Sequence, residues 1–112
     1  MHIEFTEEAK EKFRIILNES GTSMLRLAYD TEGCGCGVNG VPMIYVEDES
    51  KTSDVPVEND FVPVVVDSEQ RLFLYESMKV EVVKGAFRFK GSGGILNPVI
   101  SSRQVCERRE LS

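Results

Sequence analysis

The first twenty residues carry the pattern of a short strand followed by an amphipathic helix. Residues 2–5 alternate polar and apolar side chains, as a half-buried strand does. Beyond them, four apolar residues recur at the spacing of one helical face: Ala9, Phe13, Ile16 and Leu17. Thr6 is well suited to be the N-cap of this helix, and Gly21 is well suited to end it. The pattern therefore predicts one helix between these two residues.

A hairpin is predicted next, with a glycine-rich segment between its strands. Residues 24–29 alternate through Leu25, Leu27 and Tyr29, which favours a half-buried strand. Residues 41–46 have the composition of the returning strand. The segment between the two strands contains two cysteines.

The middle of the chain predicts a strand and then a short second helix. Residues 61–66 are rich in β-branched side chains, and Pro63 favours either an edge strand or the start of a strand. Asp67, with Gln70 three residues later, resembles a capping box. Residues 72–74 would then supply the apolar face of one or two helical turns.

A second hairpin is predicted after that helix. Residues 78–83 alternate, and Phe87 and Phe89 repeat the alternation beyond Gly85. Residues 91–94 contain three glycines and interrupt the pattern. Together the segments predict one α+β domain, rich in strands, with mixed strands in two small sheets or in a distorted barrel-like sandwich.

Length and charge limit the classes of partner. The chain has 112 residues, which suits a single core, and its formal net charge is -6. Without a basic stripe, neither nucleic acid nor a membrane surface is an expected partner. No apolar run approaches the ~20 residues that cross a bilayer, and the N-terminal residues lack the pattern of a secretory signal. We therefore expect a cytoplasmic protein.

The cysteines carry the most specific chemistry. Two of the three lie in Gly33-Cys34-Gly35-Cys36-Gly37, and the third is Cys106. Residues i and i+2 of an extended segment share a face, so both thiols of the glycine-rich segment could reach one metal ion. Free surface thiols would have the same sequence, and this alternative stays open. A disulfide framework is not expected in a reducing compartment.

Several segments together resemble one protein family over nearly the whole length. The matching segments, in order, are Ile3-Glu4-Phe5-Thr6-Glu7-Glu8-Ala9-Lys10, Leu25-Arg26-Leu27, Gly33-Cys34, Val66-Asp67, Phe73-Leu74 and Gly94-Ile95-Leu96-Asn97-Pro98. Their order and spacing resemble those of the HesB/IscA-like family of A-type iron-sulfur carriers. The resemblance implies a small HesB/IscA-like fold that binds iron, a [2Fe-2S] cluster or a [4Fe-4S] cluster.

The resemblance also implies ligands. The family uses one loop cysteine, which corresponds to Cys34, and a Cys-Gly-Cys near the C-terminus, of which Cys106 corresponds to the second cysteine. Gln104 stands where the first cysteine of that pair would be, and Cys36 stands where the family has glycine. The chain has either moved one thiol from the tail to the loop or lost cluster binding. On the first alternative, the predicted ligands are Cys34, Cys36 and Cys106.

The functional expectation follows from the resemblance. It is binding of iron or a cluster for assembly, or for delivery to apo iron-sulfur client proteins, with cluster assembly proteins as further partners and a homodimer as a compatible arrangement. The alternatives are an interaction or regulatory module without metal, and a zinc or redox thiol site. An enzyme is not expected, because a cysteine nucleophile normally needs a nearby base and His2 is the only histidine. We place the core domain at residues 1–102 and a charged, flexible tail with Cys106 at residues 103–112.

Overall fold

The computed structural model describes residues 1–30, 41–71 and 74–106. Helices and strands within them are β1 (His2–Phe5), α1 (Glu7–Ser20), β2 (Met24–Asp30), β3 (Val41–Glu47), β4 (Asp54–Pro56), β5 (Val64–Asp67), β6 (Ser77–Val83), β7 (Ala86–Gly91), β8 (Gly94–Ile100) and α2 (Ser102–Cys106).

The strands form two mixed sheets of four strands each. The first sheet has the order β1-β6-β7-β8, in which β1 and β6 are parallel. The second sheet has the order β3-β2-β5-β4, in which β2 and β5 are parallel. The two predicted hairpins are both present, as β2–β3 and as β6–β7. Two small mixed sheets with two helices confirm the predicted fold class.

Helix α1 is built as the sequence predicts. Thr6 Oγ1 accepts a hydrogen bond from the backbone N–H of Ala9 at 3.2 Å, so Thr6 is the N-cap. Gly21 ends the helix at a φ of 73°, a left-handed conformation that glycine adopts without strain. The four residues of the predicted apolar face are all buried. Phe13 stacks on Phe87 of β7 with ring centroids 4.2 Å apart, and so joins the helix to the first sheet.

The short helix predicted after Asp67 is described only in part. Ser68–Gln70 form a turn, and Arg71 lies in a 3-10 turn in which its carbonyl oxygen accepts from Leu74 N–H at 3.1 Å. Glu69 N–H donates to Asp67 Oδ1 at 2.8 Å, but Gln70 Oε1 accepts from the backbone N–H of Tyr29 at 3.1 Å. Because the Gln70 side chain accepts a hydrogen bond from β2, it does not close the predicted capping box. Leu72 and Phe73 lie outside the described residues.

The observed second helix, α2, occupies the start of the segment that we expected to be a tail. Val105 of α2 is fully buried in the core. The boundary that we drew at residue 103 therefore falls inside a packed element, and residues 107–112 lie outside the described part of the chain.

Pro63 illustrates how a strand can start. It directly precedes β5, and β5 pairs with β2 on one side and with β4 on the other. Of the two positions that the sequence allowed, the start of a strand is confirmed and the edge is wrong.

Within the described ranges, no helix is long and apolar enough to cross a membrane.

Candidate functional site

The two loop candidates, Cys34 and Cys36, lie in residues 31–40, outside the described residues. The strand ends that flank this segment are described. Asp30 ends β2 and Val41 begins β3, and these two residues are partners in the antiparallel register. The cysteine segment is therefore joined at both ends to one end of the β2–β3 hairpin.

Two amide side chains bind the backbone one residue inside the described strand ends. Tyr29 and Pro42 are register partners one step inside the hairpin end. Gln70 Oε1 accepts from the N–H of Tyr29 at 3.1 Å, and Asn97 Nδ2 donates to the carbonyl oxygen of Pro42 at 2.9 Å. Leu25 N–H donates towards β5, to Pro63 O at 3.0 Å, and Tyr29 is an even number of residues further along β2, so its N–H also faces away from β3. Tyr29 and Pro42 are therefore a non-hydrogen-bonded pair of the ladder, and side chains satisfy the groups that point outward.

Asn97 also connects the two sheets at this point. Asn97 lies on β8, an edge strand of the first sheet, whereas Pro42 lies on β3, an edge strand of the second sheet. Asn97 Nδ2 also lies 3.3 Å from Met43 Sδ, and Asn97 Oδ1 accepts from Val99 N–H at 3.3 Å. Among the described residues, it is the buried polar residue of the core, with 7% of its surface exposed. We call the junction of β3 and β8 the seam.

Cys106 lies on the helix that follows β8 in the chain. β8 ends at Ile100, and α2 begins two residues later and packs against β3. Val105 anchors α2 in the core, whereas Cys106, the next residue, is exposed and has a free thiol. The tail thiol is thus carried by a helix that rests on the strand leading out of the cysteine segment.

Gln104, the residue at the position of the missing family cysteine, caps α2. Its Oε1 accepts from Ser101 N–H at 2.8 Å and from Ser101 Oγ at 3.2 Å. In return, Ser101 Oγ accepts from Gln104 N–H at 3.2 Å. This reciprocal pair is a capping box. The sequence analysis missed it, although Ser101-Ser102-Arg103-Gln104 has the S-x-x-Q pattern that would have predicted it.

An ion-pair cluster lies on the second sheet. Arg26 on β2 makes two hydrogen bonds of 2.7 Å to the carboxylate of Asp54 and one of 2.7 Å to Glu47. The hydrogen bonds from Arg26 hold the pKa of Asp54 below its usual range. Burial raises the pKa of Glu47, but the hydrogen bond and charge of Arg26 outweigh burial and lower it. Asp54 and Glu47 in turn raise the pKa of Arg26. These charges join β2, β3 and β4 to one another.

Of the three predicted ligands, the structure describes Cys106 alone, on a helix that packs against β3. It also describes the two strand ends that flank the cysteine segment. In residues 1–30, 41–71 and 74–106, no three His, Cys, Asp or Glu side chains are grouped so that they could hold a metal ion. The three-cysteine site stays a prediction, since two of its members are outside these ranges.

Comparison with known proteins gives one family and one fold. A family model described as iron-sulphur cluster biosynthesis matches residues 1–103, which include Cys34 and Cys36 but not Cys106. The uncharacterized protein YqkB of Bacillus subtilis (strain 168) is 29% identical over 103 residues, which cover 90% of this chain and 96% of YqkB.

Two solved structures have a similar fold. IscA with a [2Fe-2S] cluster superposes with a TM-score of 0.63 at 18% identity, over 88% of this chain and 98% of IscA. Escherichia coli SufA, involved in biosynthesis of iron-sulfur clusters, superposes with a TM-score of 0.62 at 20% identity, over 80% of each chain. At these identities the two likenesses establish the fold alone.

Proposed function

The chain belongs to the iron-sulphur cluster biosynthesis family, and on that premise we propose that it binds iron or an iron-sulfur cluster and passes it to apo-proteins. The cargo is iron, a [2Fe-2S] cluster or a [4Fe-4S] cluster. Its proposed ligands are Cys34 and Cys36 from the loop and Cys106 from the tail. The partners are cluster assembly proteins and apo iron-sulfur clients, and the setting is the cytoplasm.

The position of α2 carries this proposal. The helix that presents Cys106 packs against β3, and β3 is the strand that continues from the cysteine segment. Cys106 itself is exposed and has a free thiol, which supports its availability as a ligand. We infer from this packing that the three cysteines, which are far apart in sequence, converge in one region of the molecule.

The proposed ligand set suits transfer. Iron-sulfur centres usually take four cysteine ligands, whereas one chain has three cysteines. The fourth ligand would come from a second copy of the chain, from a small thiol or from a client. A client thiolate that enters this position can take over the cluster, because ligand exchange needs an exchangeable site. IscA, which shares the fold, has been solved with a [2Fe-2S] cluster, and this supports the same cargo here.

We propose a binding role, not a catalytic one. The single histidine, His2, is exposed on β1, in the sheet that does not contain β2 or β3. A cysteine nucleophile normally needs an adjacent base. The arrangement of the described residues offers no histidine for that purpose near the hairpin end.

The engagement of Gln104 in the cap of α2 favours one alternative function, an interaction or regulatory module without metal. Its side chain is engaged in the helix cap, so the tail supplies a single thiol where the family resemblance predicts two. A member of the family with too few ligands would act as an interaction or regulatory module without metal.

Reconstitution separates these functions. The protein is purified without oxygen and incubated with iron and sulfide, and visible absorption is measured together with iron, zinc and sulfide content, for the parent and for Cys34→Ser. Thermal unfolding by circular dichroism controls for folding of the variant. Charge-transfer bands with bound sulfide that disappear in a folded Cys34→Ser support the carrier. Zinc without sulfide indicates a zinc thiol site, and a parent without metal indicates the interaction module.

A further inference from the structure

Gln104 occupies the position of a family ligand but has its side-chain oxygen directed at the backbone. Gln104 Oε1 lies 2.8 Å from Ser101 N and 3.2 Å from Ser101 Oγ. These contacts use the atom through which an amide would bind a metal ion. Gln104 therefore acts on the helix and not on a metal.

The first turn of helix α2 depends on local interactions of this kind. The described part of the helix has five residues, Ser102–Cys106, and a helical segment of that length is marginal in water by itself. Two features hold it in place within the described chain. One is the capping box at its first turn, and the other is Val105, which is fully buried and whose N–H donates to Ser101 O at 3.2 Å.

Cys106 follows Val105 directly, so the direction of its side chain depends on the same turn. Successive residues of a helix are separated by about 100° around the axis, since 3.6 residues make one turn. With Val105 facing the core, Cys106 faces outward, as its exposure shows. If the turn unwinds, this relation between anchor and thiol is lost.

We propose that Gln104 is a positioning residue that fixes the direction in which the tail presents the Cys106 thiol. The inference rests on the proposed function, because it assigns to Cys106 the role of the tail ligand. It accounts for the missing family cysteine: a single tail thiolate on a capped helix replaces a pair of tail thiolates. The tail then contributes one ligand per chain.

The first test follows the helix without any metal. Amide hydrogen exchange of Val105 is measured by NMR in the parent, Gln104→Ala, Gln104→Glu and Arg103→Ala. Glutamate also closes a capping box at this position, so Gln104→Glu should exchange like the parent. Gln104→Ala keeps the Ser101 N-cap but loses the hydrogen bonds that Gln104 Oε1 accepts from Ser101, and it should exchange about fivefold faster, the factor typical of the net loss of one hydrogen bond. Arg103, exposed on the same helix, is the matched control and should change nothing.

The second test follows the cargo. The four proteins are reconstituted with iron and sulfide, and release of iron to a chelator is timed. If release requires the tail turn to open, Gln104→Ala should release iron about fivefold faster, and Gln104→Glu and Arg103→Ala should release it at the parent rate. The visible spectra of all four should coincide, because Gln104 is not a ligand.

Two results would overturn the inference. One is equal exchange of the Val105 amide in Gln104→Ala and Arg103→Ala. The other is a shifted spectrum in Gln104→Glu, which would mean that the side chain contacts the metal. A parent that binds no iron would refute the proposed function instead, while the exchange data would still decide whether Gln104 fixes the helix that carries Cys106.

Discussion

Replacing Asn97 by alanine should weaken the seam between the two sheets. The side chain makes three hydrogen bonds: to Pro42 O at 2.9 Å, to Met43 Sδ at 3.3 Å, and from Val99 N–H at 3.3 Å. Alanine removes all of them and leaves the Pro42 carbonyl without its donor. Pro42 is only two residues past the cysteine segment, so the loss lies beside the candidate site.

The expected cost follows from burial. A buried polar group left without a partner costs about 1–3 kcal/mol, and Asn97 is 7% exposed. The Val99 and Met43 contacts are long and add little. We therefore expect a loss of about 2–3 kcal/mol in the free energy of unfolding. For a domain of this size, each kcal/mol lowers the melting temperature by roughly 4 °C, so the melting temperature should fall by about 8–12 °C.

Denaturant unfolding measures the loss, and Asn59→Ala is the matched control. Asn59 also makes two side-chain hydrogen bonds, to Val57 O at 3.0 Å and from Phe61 N–H at 2.7 Å, but it is only half-buried. Water can replace these bonds, so its removal should cost about 1 kcal/mol or less. Equal losses for the two variants would refute the reasoning that burial at the seam makes Asn97 important.

Three further predictions concern the rest of the fold. Arg26 lowers the pKa of Asp54, so this ion pair stabilises the protein above the unfolded pKa of about 4 and ceases to do so as the pH falls through the folded pKa. Asp54→Asn should cost about 1.5–3 kcal/mol at pH 7 and flatten the acid limb of a stability–pH curve, whereas an unchanged acid limb would exclude the pair as its cause. Gly91→Ala would push a Cβ into the ring of Tyr75, 2.9 Å from its Cε2, and should cost about 1–3 kcal/mol in urea unfolding. That cost should shrink in a Tyr75→Ala background, and a cost independent of Tyr75 would contradict the overlap. Thr6→Ala removes the N-cap of α1 and should lower the unfolding free energy by about 1 kcal/mol, and no loss would mean that the cap is dispensable.

The sequence predicts elements well wherever a periodic apolar pattern coincides with a clear end signal. Helix α1 has both, from Thr6 to Gly21, and its predicted buried face is the observed one. The Asp67–Gln70 motif has an end signal but little pattern, and the Gln70 side chain bonds to β2, which is distant in sequence. A local rule could not foresee this because the N–H of Tyr29 becomes available only when β2 extends beyond its pairing with β5.

For the candidate site, too, the sequence identifies some features and misses others. Thiol chemistry and the family resemblance identify Cys34, Cys36 and Cys106 from the sequence, but not how they are held. The Asn97 bridge joins residues 55 positions apart, so it depends on sheet topology and leaves no local pattern. The Ser101–Gln104 cap does have a local pattern, and the charged residues around it concealed it by suggesting a tail.

Chemical cross-linking of thiols in the metal-free protein tests the central claim most directly. The reduced protein is treated with a short bifunctional thiol reagent such as dibromobimane, digested, and mapped by mass spectrometry, with Cys106→Ser as the control. We predict a linked peptide pair that joins Cys106 to Cys34 or Cys36 and is absent from the control. Links confined to Cys34 and Cys36, with Cys106 modified only singly, would contradict the convergence of loop and tail thiols.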